Sequence, residues 1–174
     1  MIELIIIIVI LGALSAIALS RFANLSEDAE ITQAQGVAGS LRSGVNVVKS
    51  VFQSQGHSIR VQNLPGFGDG TVDTNNLGYP IGINKGSVNE NIGRGNAGCV
   101  GVWNGVLIAP PTVAANNNNQ SYRSFRHDSN RVCSYVYRDN GDNGNQNTGL
   151  IVIRYDSRNG SVVVCGQSPN LPNC

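Results

Sequence analysis

The chain is 174 residues long, enough for one globular domain plus an extension. A net charge of +1, with only 13% charged residues, supplies no long-range attraction to nucleic acid or to an anionic membrane surface. A nucleic-acid partner is therefore not expected. The hydrophobic content of 41% is ordinary in amount but crowded toward the start of the chain, and the remainder is polar and rich in Gly and Asn.

The chain opens on "MIELIIIIVILGALSAIALSRF". From Leu4 to Leu19 only Gly12 and Ser15 interrupt the apolar side chains. With Met1 and Ile2 the run approaches the ~20 residues that cross a bilayer as a helix. Isoleucine is stiff and weakens a helix in water, but in lipid the backbone has to satisfy its own hydrogen bonds, and helix wins. No basic stretch precedes the run and no A-x-A site follows it, so a retained segment is expected in place of a cleaved signal peptide. Glu3 is the anomaly. A lone carboxylate at the edge of this run serves neither a lipid anchor nor a soluble core.

Beyond Ser20 and Arg21 the pattern turns amphipathic. Phe22, Leu25 and Ala29 mark one face, and Val37, Leu41, Val45, Val48 and Phe52 follow at helical spacings. Gly36, Gly39 and Gly44 would each cost roughly 1 kcal/mol in an exposed helix, so close approach of another element is expected there. Gly56 is the expected C-terminal cap. Residues 57–98, with turn signals at "LPGFGDG" and "LGYPIG", read as a long irregular connection. Strands are expected from Cys99 to Ile108, Arg131 to Arg138, Leu150 to Asp156 and Ser161 to Cys165, the last two joined by a tight "SRNG" hairpin. The fold class is α+β, in successive parts: an apolar half-helix 1–21, an amphipathic half-helix 22–56, the loop 57–98, and an antiparallel sheet 99–174 covered on one face by the amphipathic half-helix.

The cysteines are Cys99, Cys133, Cys165 and Cys174, and no C-x-x-C occurs, which argues against zinc, thioredoxin-like chemistry and attached haem. An even number among short strands points to two disulfides and an oxidising compartment. Cys99–Cys133 would tie neighbouring strands, and Cys165–Cys174 would close "GQSPNLPN" and pin the chain end. These pairs are adopted, with the crossed pairings left open on sequence grounds. Loop entropy assigns them about 4 and about 3 kcal/mol respectively.

Other clusters weigh less. "RSFRHDSNR" gathers Arg123, Arg126, His127 and Arg131 around Phe125, where DNA or an anionic glycan could sit; a solvated loop facing acidic patches on neighbouring molecules is the expectation. "DNGDNGNQN" and "DGTVDTNN" offer oxygens without the EF-hand spacing, so no metal site is assigned. His127-Asp128 lies near serines, yet no G-x-S-x-G elbow exists, so no catalytic residue and no cofactor is assigned. Trp103 and Tyr79 read as packing residues.

The opening run, leading straight into an amphipathic helix, resembles that of type IV pilins, whose mature chains begin Phe-Thr-Leu-Ile-Glu-Leu after a leader is cut. Met1-Ile2-Glu3-Leu4 is similar to that motif from its third place onward, so two further residues are expected before Met1 in the mature chain. "GYPIG", the pair "CVGVWNG" and "CSYVY", and the C-terminal cysteine loop are similar to type IVa pilins of the mannose-sensitive haemagglutinin kind. The resemblance implies a type IV pilin fold and a non-enzymatic structural subunit, a major pilin with N-terminal methylation. Its partners would be a prepilin peptidase, the inner-membrane pilus assembly machinery and identical subunits, with membrane residence before export to an extracellular filament. Attachment, motility and a surface glycan as candidate receptor follow from the same resemblance. It also implies the assembly residues: Glu3, Leu4, Ile5, Ile8, Leu11, Gly12 and Leu14. Glu3 would neutralise the N-terminal amine of an adjacent subunit. The chain departs from many relatives in lacking a proline near Ser20, and Gly12 leaves local melting of the helix open. The competing readings are a minor pilin or pseudopilin and, in another class, a membrane-anchored periplasmic ligand-binding protein, which offers no reason for Glu3.

Overall fold

A computed structural model describes residues 2–86, 88–116 and 119–174; the side chains of Ile17 and of residues 19–24 lie outside the description. The chain divides into two compact units, Met1–Gln33 and Ala34–Cys174, and the helix α1, Ile2–Ser54, contributes to both.

The first unit is the N-terminal part of this helix, in which Ile31 is buried. Its described side chains from Ile2 to Ala16 are all exposed. The apolar face expected at Phe22, Leu25 and Ala29 is not a buried one: Leu25 and Ala29 are exposed, and Phe22 lies outside the described side chains.

In the second unit α1 buries Ala34, Ala38, Leu41, Val45, Val48 and Phe52. Their spacing alternates four and three, which keeps a single stripe along a helix of period 3.6. Val37 sits one step off the stripe and is half-buried. A Cβ on Gly44 would stand 2.6 Å from Val106 Cγ1, so here the missing side chain permits close approach. Gly36 and Gly39 face open space, contrary to expectation, because they lie off the buried stripe of Ala34, Ala38 and Leu41. The helix stops where Gly56 takes φ +73°. The Gly56 N–H reaches the Gln53 carbonyl and the His57 N–H reaches that of Phe52 at 3.2 Å, closing a Schellman motif. The hydrophobic contact that accompanies such motifs is the Phe52–His57 ring pair, 5.6 Å between centroids.

The connection after α1 is more regular than expected. β1, Val72–Thr74, pairs antiparallel with β2, Pro80–Ile83. Asn75 staples their turn: its Oδ1 accepts the Leu77 and Tyr79 N–H groups, and its Nδ2 donates to the Ser157 carbonyl at 2.6 Å. Sequence reading missed this hairpin because its strands are too short to show alternation.

Residues Gly95–Val106 form the helix α2, where the end of the irregular connection 57–98 and then a strand from Cys99 to Ile108 were expected. Cys99, Val102, Trp103 and Val106 are buried at i, i+3, i+4 and i+7, a helical stripe that outweighs the β-branched Val100 and the glycines Gly101 and Gly105 between them. Gly98 lets the helix meet the backbone of Gly93, where an added Cβ would lie 2.6 Å from the Gly93 Cα. The Trp103 indole donates to the Pro111 carbonyl at 2.9 Å and packs against Tyr122 and Tyr135, with centroids 5.0 and 4.4 Å away.

Five strands complete the unit among the described residues: β3 Val113–Ala114, β4 Tyr122–His127, β5 Val132–Tyr137, β6 Val152–Asp156 and β7 Ser161–Cys165. They order as β3-β4-β5-β6-β7, antiparallel except for the two-residue parallel contact of β3 with β4. The expected strands at 131–138, 150–156 and 161–165 are β5, β6 and β7. β4 was expected as a loop. Every residue of β5 is buried, since both faces of the sheet are covered. Cys133, Tyr135 and Tyr155 belong to the face beneath α2 and β2, where the Tyr135 hydroxyl donates to the Cys99 carbonyl and that of Tyr155 to Pro80, both at 2.8 Å. Val136, Val152 and Cys165, with Phe125, form the core of the other face, under the polar loops. Arg42 of α1 donates to the Val162 carbonyl. The overall class is α+β.

Candidate functional site

The residues implied in assembly, Glu3, Leu4, Ile5, Ile8, Leu11, Gly12 and Leu14, all lie in the first turns of α1. Among the described residues, none of these apolar side chains finds a partner: Leu4 and Ile5 are more than 60% exposed, and Gly12 has nothing within 4 Å of where a Cβ would stand. The polar interruption Ser15 returns its hydroxyl to the Leu11 carbonyl at 2.7 Å, so it presents little polarity outward. A helix that is apolar on all sides belongs in a core or in lipid. Glu3 stands in the first helical turn, where unpaired backbone N–H groups and the helix dipole favour a negative charge by ~0.3–1 kcal/mol. The expected spanning run 1–21 reaches into residues outside the description; among the described residues, no helix is long and apolar enough to cross a membrane.

Two disulfides join Cys99 to Cys133 and Cys165 to Cys174. The first links α2 to the central strand β5, not strand to strand as expected. The second closes the terminal loop, whose Pro172 carbonyl accepts the Gly166 N–H at 2.9 Å.

The basic cluster read in "RSFRHDSNR" does not survive folding. In a strand, successive side chains take opposite faces, so β4 sends Arg126 toward α2 while Arg123, Phe125 and His127 share the other face. The Arg123 guanidinium lies 4.8 Å over the Phe125 ring. Arg131, beyond the turn, pairs with Glu90 at 3.1 Å. His127 Nε2 lies 2.8 Å from the Ser134 hydroxyl, and Arg154 Nε donates to the same oxygen at 3.2 Å. Ser134 is fully buried on the central strand, so this Ser–His contact admits no substrate. Burial first, then the positive charge of Arg154, lowers the His127 pKa below that of an ordinary histidine. Tyr135 and Tyr155 are pushed well above the usual phenol range by burial, consistent with hydroxyls that only donate to carbonyls.

The two loops that offered oxygens for a cation spend them on backbone. Asp142 accepts the N–H groups of Gly144 and Leu150, at 2.6 and 2.8 Å. Asp69 accepts from Thr71, and the buried Asp73 accepts the Asn63 and Lys85 N–H groups. These are turn-forming carboxylates. Among the described residues no three His, Cys, Asp or Glu converge as a metal ion would need.

No family model, no curated protein and no solved structure matches the chain.

Proposed function

We propose that the chain is a structural subunit of a type IV pilus-like filament, a major pilin with the pilin arrangement of helix and sheet. The observation that carries the reading is the bare apolar end of α1: from Ile2 to Ala16 every described side chain is exposed, and Glu3 is the one charge among them. Left in water, each large side chain there would forgo ~1.5–3 kcal/mol of burial. Identical ends packed together supply the cover that the single chain lacks. Lipid is the cover before assembly, in an inner membrane, and the finished filament lies outside the cell.

Moving from lipid to a protein core gains far less than leaving water, so extraction calls for a driven assembly machinery. A prepilin peptidase would free the N-terminus. In this reading the chain is no enzyme; it serves attachment and motility. Glu3 then has a definite task. A carboxylate enclosed by leucine and isoleucine is costly unless paired, and an amine from the next subunit pairs it and fixes register. Breaking such a pair by removing one partner costs ~3–5 kcal/mol.

Glu3→Ala is expected to leave a folded, membrane-held protein that assembles few or no filaments, counted by electron microscopy. Counts equal to wild type refute the pairing. If Glu3 serves only the dipole of its own helix, Glu3→Gln and Glu3→Ala assemble normally. A membrane-anchored binding protein would stay monomeric in detergent and tolerate any apolar anchor; a minor pilin would be scarce in sheared surface fibres.

A further inference from the structure

The sequence scatters its basic residues, but the fold brings three together. Lys85 follows β2, Arg94 precedes α2 and Arg126 lies on β4; with Asn89, Asn91 and Asn130 they line a cleft of about 400 Å³. That volume lies within the ~300–1,000 Å³ typical of small-ligand pockets. Among the described residues the lining holds three cations and three amides but no carboxylate.

The acids of the flanking segments are already engaged. Asp73 is held by the Asn63 and Lys85 backbone N–H groups at 2.8 and 2.5 Å. Glu90 is held by Arg131 and by the Asn76 N–H at 2.9 Å. The cations are positioned instead by neutral acceptors, which leave their charge uncancelled. Arg126 Nη1 donates to the Ile92 carbonyl at 2.7 Å and to that of Gly93. Lys85 Nζ donates to the Asn89 carbonyl and, at 3.0 Å, to its side-chain oxygen. Arg94 is exposed and occupies the N-cap of α2 without making a side-chain cap. The first N–H groups of that twelve-residue helix therefore add positive potential at the edge of the cleft. Lys85 feels the crowding: burial lowers its pKa, and Arg60, Arg131 and Arg126 lower it further, against a partial offset from Asp73.

The geometry points to an oxyanion-binding cleft between β2, α2 and β4, in which Lys85, Arg94 and Arg126 take a sulfate or phosphate group, free or carried on a sugar. Forked guanidinium donors suit tetrahedral oxygens, and the Asn89, Asn91 and Asn130 amides suit adjoining hydroxyls. The cleft is distinct from the apolar end of α1, and it stands or falls apart from the filament reading.

The test is a titration of the full-length, isotope-labelled chain in neutral detergent, followed by backbone amide shifts. Inorganic sulfate and glucosamine 6-sulfate are compared with chloride at matched ionic strength. Saturable shifts at Asn91, Gly93, Gly95 and Asn130 are expected with sulfate. Arg94→Gln is expected to weaken them about tenfold with the rest of the spectrum unchanged, and Arg94→Lys to restore part of the loss. Tighter binding of the sulfated sugar marks a glycan as the source; equal binding marks the free anion. Sulfate shifts no larger than those of chloride, or an Arg94→Gln titration identical to wild type, overturn the assignment.

Discussion

One helix carries two burial regimes. Between Ala34 and Phe52, α1 sets one stripe of apolar residues against its own domain and leaves the other faces to solvent. Between Ile2 and Ala16 it is apolar on every side, and every described side chain is exposed. Secondary structure is the same in both stretches, so hydrogen bonding does not distinguish them. The distribution of apolar residues does. A stripe states that one neighbour is present within the chain, whereas a full coat has no such neighbour among the described residues, and the proposed filament would supply it.

The sharpest way to break this comparison is to cut the same kind of side chain from each stretch. Leu41 is fully buried, and Leu41→Ala is expected to cost ~2–5 kcal/mol. Ile8 is about 60% exposed, and Ile8→Ala is expected to change stability by less than ~0.5 kcal/mol while impairing any assembly that uses that face. Denaturant midpoints of both variants, measured on the full chain in detergent, decide the point. Equal losses would mean that the two stretches are not different in kind.

Glycines extend the comparison at smaller magnitude. Gly44→Ala drives a methyl group into Val106 and is expected to destabilise by ~1–3 kcal/mol. Gly36 and Gly39 meet open space, so Gly36→Ala and Gly39→Ala should each stabilise the isolated chain by up to ~1 kcal/mol. Thermal melts separate these opposite signs. A loss at Gly36 or Gly39 would show that a neighbour covers them.

What could be read from sequence divides along the same line. Long periodic features were legible: the apolar run, the stripe through Leu41 and Val48, the alternation of β5, and the β6–β7 hairpin. The cysteine pairs adopted from the sequence are those present, although the crossed pairings stayed open there. The expected ground for Cys99–Cys133, two neighbouring strands, does not hold, because Cys99 lies on α2. The error at α2 has a physical origin. "CVGVWNGV" alternates well enough for a strand, but its helix is decided by burial of Cys99, Val102, Trp103 and Val106 against β2, β4 and β5. Their i, i+3, i+4, i+7 spacing was the available signal. β4 was hidden because Arg123, Arg126 and His127 give it the look of a loop, though Tyr122, Ser124 and Arg126 alternate with Arg123, Phe125 and His127. The meeting of Lys85, Arg94 and Arg126 had no local signal at all; three separate elements make it.

The smallest expected effect is a pH dependence centred on His127, which belongs to the loop-covered face of the sheet. Burial and Arg154 lower its pKa in the folded chain, and Arg158 adds to this; Asp128 and Asp156 oppose it without prevailing. The unfolded chain, whose histidine titrates near 6.5, therefore binds the proton more readily. Stability rises with pH wherever the unfolded state holds more protons, so this contribution is intact above about 6.5 and declines as pH falls toward the lower folded value. Asp156 cannot account for a loss in that interval: burial alone would raise its pKa, but hydrogen bonds from Arg158 bring it below the usual carboxylate range. Its stabilising effect fades only at still lower pH. Denaturant midpoints taken between pH 7.5 and 5.5 should fall in the wild-type chain and flatten in His127→Asn, which keeps a donor for Ser134. An unchanged slope in that variant would assign the titration to another group and leave His127 as packing alone.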